Sequence, residues 1–349
     1  MRIRKIEIKQ FKSINDKVEI CIPGNTPVVL IGDNNSGKSN IMSAIELALG
    51  NESPNNFQPP PMHYCWDNNC SNSPIEICIE WNNCLNAPKT IFLQNIKRTI
   101  WRYDNSKNKC TRQAFSDSGE EIQDFDKISK KLPKIIYLKS LSNLYAHLYK
   151  NKNDNYRIPF ETLIYYFRSA IDDCSYSSNL DKINESKDFI TELRNQIPQL
   201  NEFLKEWEQV EKEMHLNVAG KIAMSMLPET DNRRIASSIK FDPAVDGVQK
   251  YFQEIGTGQE NILLTIFALL IAKHFYKNSI VLIEEPEIHL NPNNQEWLAD
   301  TIIKYAKQDN IQIFVSTHSS SFLDLMSLEN AVIVRKERKT TIIKQLTAQ

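Results

Sequence analysis

The feature that most constrains this chain is an eight-residue turn, GDNNSGKS, at residues 32–39. It follows an apolar run at residues 27–31 (PVVLI), and it opens a helix predicted over residues 37–49 with one apolar side. The turn fits G-x-x-x-x-G-K-[ST], in which glycines let backbone N–H groups converge on phosphate at a helix N-terminus. Strand, turn and helix together predict a phosphate-binding site in an α/β fold.

The side chains of this turn have distinct expected roles at a nucleoside triphosphate. Lys38 is expected to reach the β- and γ-phosphates, and the hydroxyl of Ser39 to ligate Mg²⁺. The other candidate contacts belong to the same turn and the first helical residues: Asn34, Asn35, Ser36, Gly37 and Asn40. The alternative, a chance glycine-rich turn, is disfavoured by the flanking strand and helix.

A pair of acids supplies the second part of the predicted site. Residues 280–283 form an apolar run that reads as a strand buried on both faces, and it ends in Glu284 and Glu285. We expect Glu284 to hold the Mg²⁺ shell and Glu285 to orient or deprotonate the attacking water. The alternative is an acidic strand end exposed to solvent, and the P-E-I-H-L sequence that follows weakens it.

The order of the predicted elements indicates three regions. Strands around one helix occupy residues 1–140, a Lys-, Glu- and Asn-rich stretch of helical period occupies residues 141–230, and strands alternate with helices over residues 231–349. Alternating strands and helices predict an α/β sheet, whose ligands should lie at the carboxyl ends of the strands. We interpret residues 141–230 as a helical insertion.

Charge and hydropathy restrict the partners and the compartment. Lys plus Arg total 42 and Asp plus Glu 43, so the net charge of −1 lacks the basic excess of proteins that coat DNA. Any contact with nucleic acid is therefore expected to be local or made through a complex. The N-terminus has no signal-peptide core, and the longest apolar run, residues 262–272, is too short to span a bilayer. We predict a cytoplasmic protein without membrane partners.

The cysteines do not predict a metal site. Seven is an odd number in a chain without an export signal, which favours reduced thiols. The residues that could form a zinc cluster lack the close C-x2-C pairs of structural sites: His63, Cys65, Cys70, Cys78 and Cys84. We interpret them as ordinary small apolar residues.

Four motifs in a fixed order resemble one group of ATPases. GDNNSGKS, GTGQE, IVLIEEPEIHL and STHS together are similar to the ABC-type ATPase heads of the structural-maintenance, RecF and Rad50 type. More specifically, they resemble the overcoming-lysogenization-defect (OLD) ATPases and the AAA-like ATPases of bacterial anti-phage defence operons. The resemblance covers residues 1–139 and 231–349. It implies a P-loop fold with a mixed sheet, an antiparallel β subdomain and a helical insertion, which binds ATP and Mg²⁺ in a head-to-head homodimer or higher oligomer.

The resemblance assigns further site residues by position. Thr257, Gly258 and Gln259 match the signature segment, which in this family binds the γ-phosphate held by the opposite subunit. Thr257 replaces the usual serine and Gln259 the usual second glycine, so the register is open by one residue. His318, after the strand IQIFV, matches the switch histidine that contacts the γ-phosphate.

At two other positions the sequence matches the family's motifs only in part. Lys12 lies in an F-K-S turn similar to the N-F-R-S turn of these heads, whose basic residue approaches the nucleotide. The family's switch glutamine is missing, because its place at residues 136–140 reads IYLKS. We therefore do not expect this loop to sense the metal through a glutamine.

Three functions remain open at this point. The first is an ATPase that switches a separate effector, a nuclease, in a defence system. The second is an OLD-type nuclease in one chain, but only 31 residues follow His318, which we expect to be too few for a Toprim domain. The third is a DNA-repair ATPase of the RecF or Rad50 type, for which a basic surface or long coiled-coil arms would be required.

Overall fold

In the computed structural model, the chain folds into two compact units. Unit 1 comprises Met1–Tyr137, Asn278–Glu285 and Ala306–Gln349, and unit 2 comprises Leu138–Lys277 and Pro286–Tyr305. The described residues are 1–50, 73–82, 96–104, 106–107, 109–140, 163, 166–171, 189–217, 222–228, 239–245, 248–249, 256–276, 278–308, 311–326 and 330–345.

Unit 1 contains an antiparallel sheet built from alternating apolar and polar residues. Its strands are β1 (Arg2–Lys9), β2 (Val18–Cys21), β4 (Ile75–Asn82), β5 (Arg98–Asp104), β6 (Lys109–Phe115) and β7 (Glu121–Ile122). They follow the order β2-β1-β4-β5-β6-β7, and each neighbouring pair is antiparallel. In β1 the side chains alternate between buried and more exposed positions from residue 5 onward, as expected for a strand with one face in the core.

A second, mixed sheet of unit 1 positions the predicted motifs. Its strands are β3 (Val28–Ile31), β8 (Ile135–Leu138), β12 (Ile280–Glu284), β13 (Gln312–Thr317), β14 (Ala331–Glu337) and β15 (Thr340–Gln345). The order is β15-β14-β3-β13-β12-β8, in which β14, β3, β13 and β12 are parallel and β15 is antiparallel to β14. The buried runs of β12 and β13 fit strands covered on both faces.

One hydrophobic core joins both sheets of unit 1 to helix α1 (Lys38–Leu49). Ile41 and Ile45 of α1 are fully buried in the same cluster as Ile77 of the antiparallel sheet and Phe314 of the mixed sheet. Burying an aliphatic side chain of this kind stabilises the fold by about 1.5–3 kcal/mol. Short helices α2 (Phe125–Ser129) and α7 (Ser320–Leu325) complete the described part of this unit.

Unit 2 is mainly helical in its described part. It contains α3 (Phe189–Gln196), α4 (Pro198–Asn217), α5 (Thr257–His274) and most of α6 (Pro292–Gln308). Residues 262–272 of α5 are all buried, so this helix is a core element, as its apolar sequence, interrupted only by Thr265, predicts. No helix in the described ranges is long and apolar enough to cross a membrane.

Unit 2 also contains a small antiparallel sheet that the sequence did not predict. Its strands are β9 (Ile222–Pro228), β10 (Ile239–Val245) and β11 (Val248–Gln249), in the order β11-β10-β9. The stretch interpreted as a helical insertion therefore includes α3 and α4 but also β9. The boundaries 1–140, 141–230 and 231–349 stay a prediction.

Candidate active site

The phosphate turn adopts the conformation that its glycines predict. It leaves β3 and enters α1, with Asn35 at φ 62° and Gly37 at φ 114°, both left-handed. Such residues turn backbone N–H groups towards a common concavity that attracts anions. The amide of Ser36 donates to the carbonyl of Asp33 at 3.2 Å, and the amide of Asn40 donates to that of Gly37 at 3.0 Å, which closes the turn onto the helix.

Both glycines of the turn are required by close packing, and Gly37 is required by its left-handed conformation as well. A Cβ at Gly32 would lie 2.0 Å from the carbonyl oxygen of Val334, and one at Gly37 would lie 2.2 Å from Oγ1 of Thr341. These separations are far below contact distance, so any larger residue would displace the turn. Val334 of β14 and Thr341 of β15 therefore pack directly against the phosphate turn and restrict its shape.

The polar side chains of the turn fit an anionic ligand. The ammonium of Lys38, buried to 6% exposure, donates to the carbonyls of Gly32 at 2.7 Å and Asp33 at 3.0 Å. A phosphate would be a stronger partner than these carbonyls, because its negative charge would pair with the positive charge of the ammonium. Oγ of Ser36 is buried and has no hydrogen-bond partner within the described part of the chain, and a phosphate oxygen would supply one. Ser39 is exposed at the start of α1.

A hydrogen-bond network that the sequence did not predict braces this turn. Oγ1 of Thr341 donates to the carbonyl of Ser36 at 2.9 Å and lies 2.7 Å from Oγ of Ser13. Nδ2 of Asn40 donates to the same Ser13 oxygen at 2.6 Å. Asn40 therefore has a structural partner, and its expected contact with nucleotide stays a prediction. No sequence pattern indicated Thr341, which is 328 positions from Ser13.

Lys12 lies in the neighbouring F-K-S turn. Its φ of 53° is left-handed, and its ammonium lies 5.3 Å from the centre of the Phe11 ring. Phe11 and Ile14 exchange backbone hydrogen bonds of 3.0 and 2.9 Å, which makes the turn tight. The lysine is thus held on a rigid turn whose Ser13 also touches the phosphate-turn network, and its role stays a prediction.

The two acids differ in their surroundings. Glu284 ends β12, is 6% exposed, and accepts a 2.7 Å hydrogen bond from the hydroxyl of Tyr137 at the end of β8. Burial, reinforced by the neighbouring Glu284 carboxylate, raises the pKa of Tyr137 well above its usual range, so the phenol is the donor. Glu285 has φ 48°, an uncommon value for a residue with a side chain, and its amide donates to the carbonyl of Ser316 at 2.8 Å.

His318 lies beside the second acid. It follows β13 directly, is exposed, and its Nδ1 lies 3.5 Å from Oε1 of Glu285. Ser319 accepts a hydrogen bond from the amide of Phe322 and so caps α7, which fixes the chain immediately after the histidine. A carboxylate and an imidazole at this distance can share a proton or a water molecule.

The strand register gathers these groups at one edge of the mixed sheet. Thr317 pairs with Ile31, and Ser316 pairs with Glu284, in a parallel ladder. The phosphate turn, Glu285 and His318 each follow the carboxyl end of one of three adjacent strands. Their convergence is the arrangement predicted for an open α/β sheet.

The signature segment lies in unit 2, at the N-terminus of α5. Thr257, Gly258 and Gln259 are half-buried. A Cβ at Gly258 would lie 2.4 Å from the carbonyl oxygen of His289, and Nδ2 of Asn261 donates to the carbonyl of Ile288 at 3.0 Å. The E-P-E-I-H-L continuation therefore holds the first turn of α5 in place, and the binding roles of these three residues stay predictions.

The cysteine cluster falls mainly outside the described residues, which include only Cys78 of its five members. Cys78 is buried in β4, and burial raises its pKa to about 12. Across the described ranges, no group of three or more His, Cys, Asp or Glu side chains is arranged to hold a metal ion.

The fold and the turn together define a P-loop ATPase with an ABC-like head. The chain belongs to the AAA ATPase domain family, whose sequence pattern matches residues 1–170 and 151–323. It is an ATPase of the group that contains the OLD and SMC proteins, as the four motifs predicted.

Two relatives connect the chain to this group by sequence. It is 22% identical to the OLD nuclease of Thermus scotoductus over 98% of its own length and 63% of that protein. It therefore spans less than two thirds of this relative. Over 53 residues, 15% of this chain and 4% of the other, it is 38% identical to the chromosome partition protein Smc of Koribacter versatilis.

Solved structures of SMC heads share the fold. An Smc head bound to the C-terminal winged-helix domain of ScpA has a TM-score of 0.61 at 16% identity, over 100% of this chain and 98% of that one. A Pyrococcus furiosus Smc head bound to the C-terminal domain of ScpA gives 0.57 at 16% identity, over 99% and 96%. The Thermotoga maritima head domain gives 0.51 at 13% identity, over 100% of both chains. At these identities the likeness establishes the fold alone.

Proposed function

We propose that this chain binds ATP with Mg²⁺ at the phosphate turn, hydrolyses it between two copies arranged head to head, and thereby switches a separate effector. The observation that carries the proposal is the convergence of the phosphate turn, Glu285 and His318 on adjacent strands, with 3.5 Å between the last two. Phosphoryl transfer depends mainly on positioning and charge stabilisation, and these are the properties of this sheet edge.

The phosphate turn would hold the triphosphate through its backbone amides, Lys38 and the Ser36 hydroxyl. Ser39 and Glu284 would hold Mg²⁺, which neutralises charge on the phosphate oxygens. Glu285 would orient the attacking water and accept its proton, because it lies beyond the metal acid and beside His318. His318 would sense the γ-phosphate through its exposed ring.

A second subunit would complete the site. The N-terminus of α5 offers the hydroxyl of Thr257 and the amides of Gly258 and Gln259, groups suited to a γ-phosphate. In the resembling family this segment faces the nucleotide of the opposite subunit. We therefore propose a symmetric, head-to-head dimer in which ATP closes the interface and hydrolysis opens it.

The proposed effector is a nuclease of a bacterial defence system. Two considerations support it: the resemblance to ATPases of defence operons, and the sequence relation to an OLD nuclease. The Smc heads with this fold are bound to ScpA domains, which is a precedent for an ATPase head acting on a partner protein. Residues 141–230 are the proposed docking region.

Substitution of Glu285 tests the ATPase proposal. Glu285→Gln keeps the side-chain shape but removes the charge that orients water, so hydrolysis should fall by about 100-fold or more. ATP binding should persist, and ATP-bound dimer should accumulate in size-exclusion chromatography with light scattering. Glu296→Gln, at an exposed position of α6, is the matched control and should hydrolyse ATP normally. Normal ATP hydrolysis by Glu285→Gln would show that another residue orients the attacking water.

A second candidate function is the ATPase portion of an OLD-family nuclease. The match to 63% of the Thermus scotoductus protein favours it. Purified chain incubated with plasmid, single-stranded DNA and RNA, with ATP and Mg²⁺ or Mn²⁺, tests whether this chain cuts nucleic acid by itself. We expect no cleavage; cleavage that survives purification and disappears in a site variant would show a nuclease site within this chain.

A further inference from the structure

Tyr137 belongs to the segment 136–140, which stands in the sequence at the place of the resembling family's switch glutamine. Tyr137 occupies β8, the edge strand next to β12, and is 7% exposed. Its oxygen lies 2.7 Å from Oε1 of Glu284, the acid assigned above to Mg²⁺. A buried phenol is rigid, since its position is set by two side-chain torsions that packing holds.

The same hydroxyl also lies close to the helix that the phosphate turn opens. The side chain of Ser43, on α1, partly offsets the rise in the pKa of Tyr137. The hydroxyl therefore lies among β8, β12 and α1 within unit 1. Ser43 lies four positions beyond Ser39, one helical turn from the proposed Mg²⁺ ligand.

A carboxylate at a metal site needs a fixed orientation. The last torsion of a glutamate is broad, so an unconstrained carboxylate samples many angles. A short hydrogen bond from a rigid donor selects one of them, and partners of this kind strongly affect metal affinity. The contact between Tyr137 and Glu284 has the distance and burial required for such a role.

We propose that Tyr137 is a positioning residue, whose hydroxyl fixes the Glu284 carboxylate in the orientation that Mg²⁺ requires. This inference rests on the proposed ATPase function. It assigns to β8 a role in metal dependence that no motif indicated. Tyr137 itself does not contact the reacting atoms.

The test is the Mg²⁺ dependence of ATP hydrolysis in Tyr137→Phe, which removes only the hydroxyl. The half-saturating Mg²⁺ concentration should rise by about tenfold. Binding of a fluorescent ATP analogue in EDTA should stay at the wild-type value, because the phosphate turn is untouched. Tyr103→Phe is the matched control: Tyr103 is a buried tyrosine of β5, 1% exposed, and its variant should keep the wild-type Mg²⁺ dependence.

Glu284→Gln separates failure of this inference from failure of the proposed function. If Glu284→Gln raises the Mg²⁺ requirement and Tyr137→Phe does not, the positioning role is overturned and the metal assignment stands. If neither variant changes it, the metal assignment itself is wrong. Should Tyr137→Phe fail to fold, Ser43→Ala replaces it, because alanine favours the helix. It should raise the Mg²⁺ requirement by a smaller factor, and an unchanged value would overturn the inference.

Discussion

Two helices of this protein begin at glycine-containing turns, and the surroundings of their first N–H groups differ. Helix α1 follows a left-handed Gly37, has no acid in its first turn, and carries the buried ammonium of Lys38. Helix α5 follows Gly256 in an extended conformation and carries the buried acid Glu260 in its first turn. At both termini the first backbone N–H groups point out of the helix end, where they can contact an anion.

The difference indicates a division of roles between the two helix ends. The α1 turn unites amides, a cation and a hydroxyl within one unit, so it can hold an anion alone. The α5 turn has a hydroxyl and amides, while the acid in its own first turn opposes an anion. It is therefore suited to adding contacts to a phosphate whose charge another subunit neutralises. Removing the phosphate contacts at the start of α1 should abolish ATP binding. Removing those at the start of α5 should abolish ATP hydrolysis but leave ATP binding intact.

The largest expected effect is at α1. Lys38→Ala removes the cation that faces the phosphates and should weaken ATP binding by about 100-fold or more. Titration of a fluorescent ATP analogue measures it, with circular dichroism to confirm folding. Lys127→Ala, at an exposed position of α2, controls for loss of a lysine. Unchanged affinity in folded Lys38→Ala protein would remove the distinction between the two helix ends.

A substitution at the start of α5 should stop turnover and spare binding. Gly258 is unsuitable, because a Cβ there would meet the His289 carbonyl at 2.4 Å. Thr257→Asp instead places a carboxylate near the proposed γ-phosphate, and repulsion should reduce hydrolysis by about 100-fold. Thr257→Asn has the same shape without the charge and should lose much less. Equal rates for the two variants would contradict a phosphate contact at this position.

The smallest effect is expected at the other end of α5. Glu206 of α4 accepts hydrogen bonds from His274 at 2.7 Å, Tyr305 at 2.7 Å and Lys273 at 2.9 Å. Glu206→Gln weakens these bonds and should destabilise the protein to urea by about 2 kcal/mol, with ATP binding unchanged. Glu202→Gln, an exposed change on the same helix, is the control.

The stability that Glu206 contributes should depend on pH. Burial alone would raise the pKa of Glu206, but the hydrogen bonds from His274, Tyr305 and Lys273 outweigh it and lower the pKa to about 2 from 4.5. A lowered folded-state pKa stabilises the protein above pH 4.5, and this contribution is lost as pH falls towards 2. The difference between wild type and Glu206→Gln should shrink over that interval. A difference that stays constant would assign the stabilisation to packing.

Local sequence patterns predicted most of unit 1 and the edge that carries the site. Strand β3, the phosphate turn and α1 follow from an apolar run, two glycines and a helical period, all within 23 residues. The buried run before Glu284 likewise predicted β12. Each of these signals lies within a few neighbouring positions, so no knowledge of distant contacts was needed.

The missed features depend on contacts between distant positions. Tyr137 and Glu284 are 147 positions apart, and Ser13 and Thr341 are 328 apart. Nothing local marks these side chains as partners. The strands β9 to β11 pair only with one another within the described residues, and such pairing overrode the weak local preference for helix or loop.

In the proposed dimer, one ATP is held by the phosphate turn of one subunit and the α5 terminus of another. Mixing Lys38→Ala with Thr257→Asp protein tests it directly, with the steady-state rate of ATP hydrolysis as the measurement. Each parent should be inactive, but a mixed dimer has one site with both Lys38 and Thr257 intact. An equal mixture should therefore recover about one quarter of the wild-type rate, because about half of the dimers are mixed and each has one working site. No recovery from mixtures that form dimers, or a Thr257→Asp monomer that turns over ATP normally, would contradict the shared site.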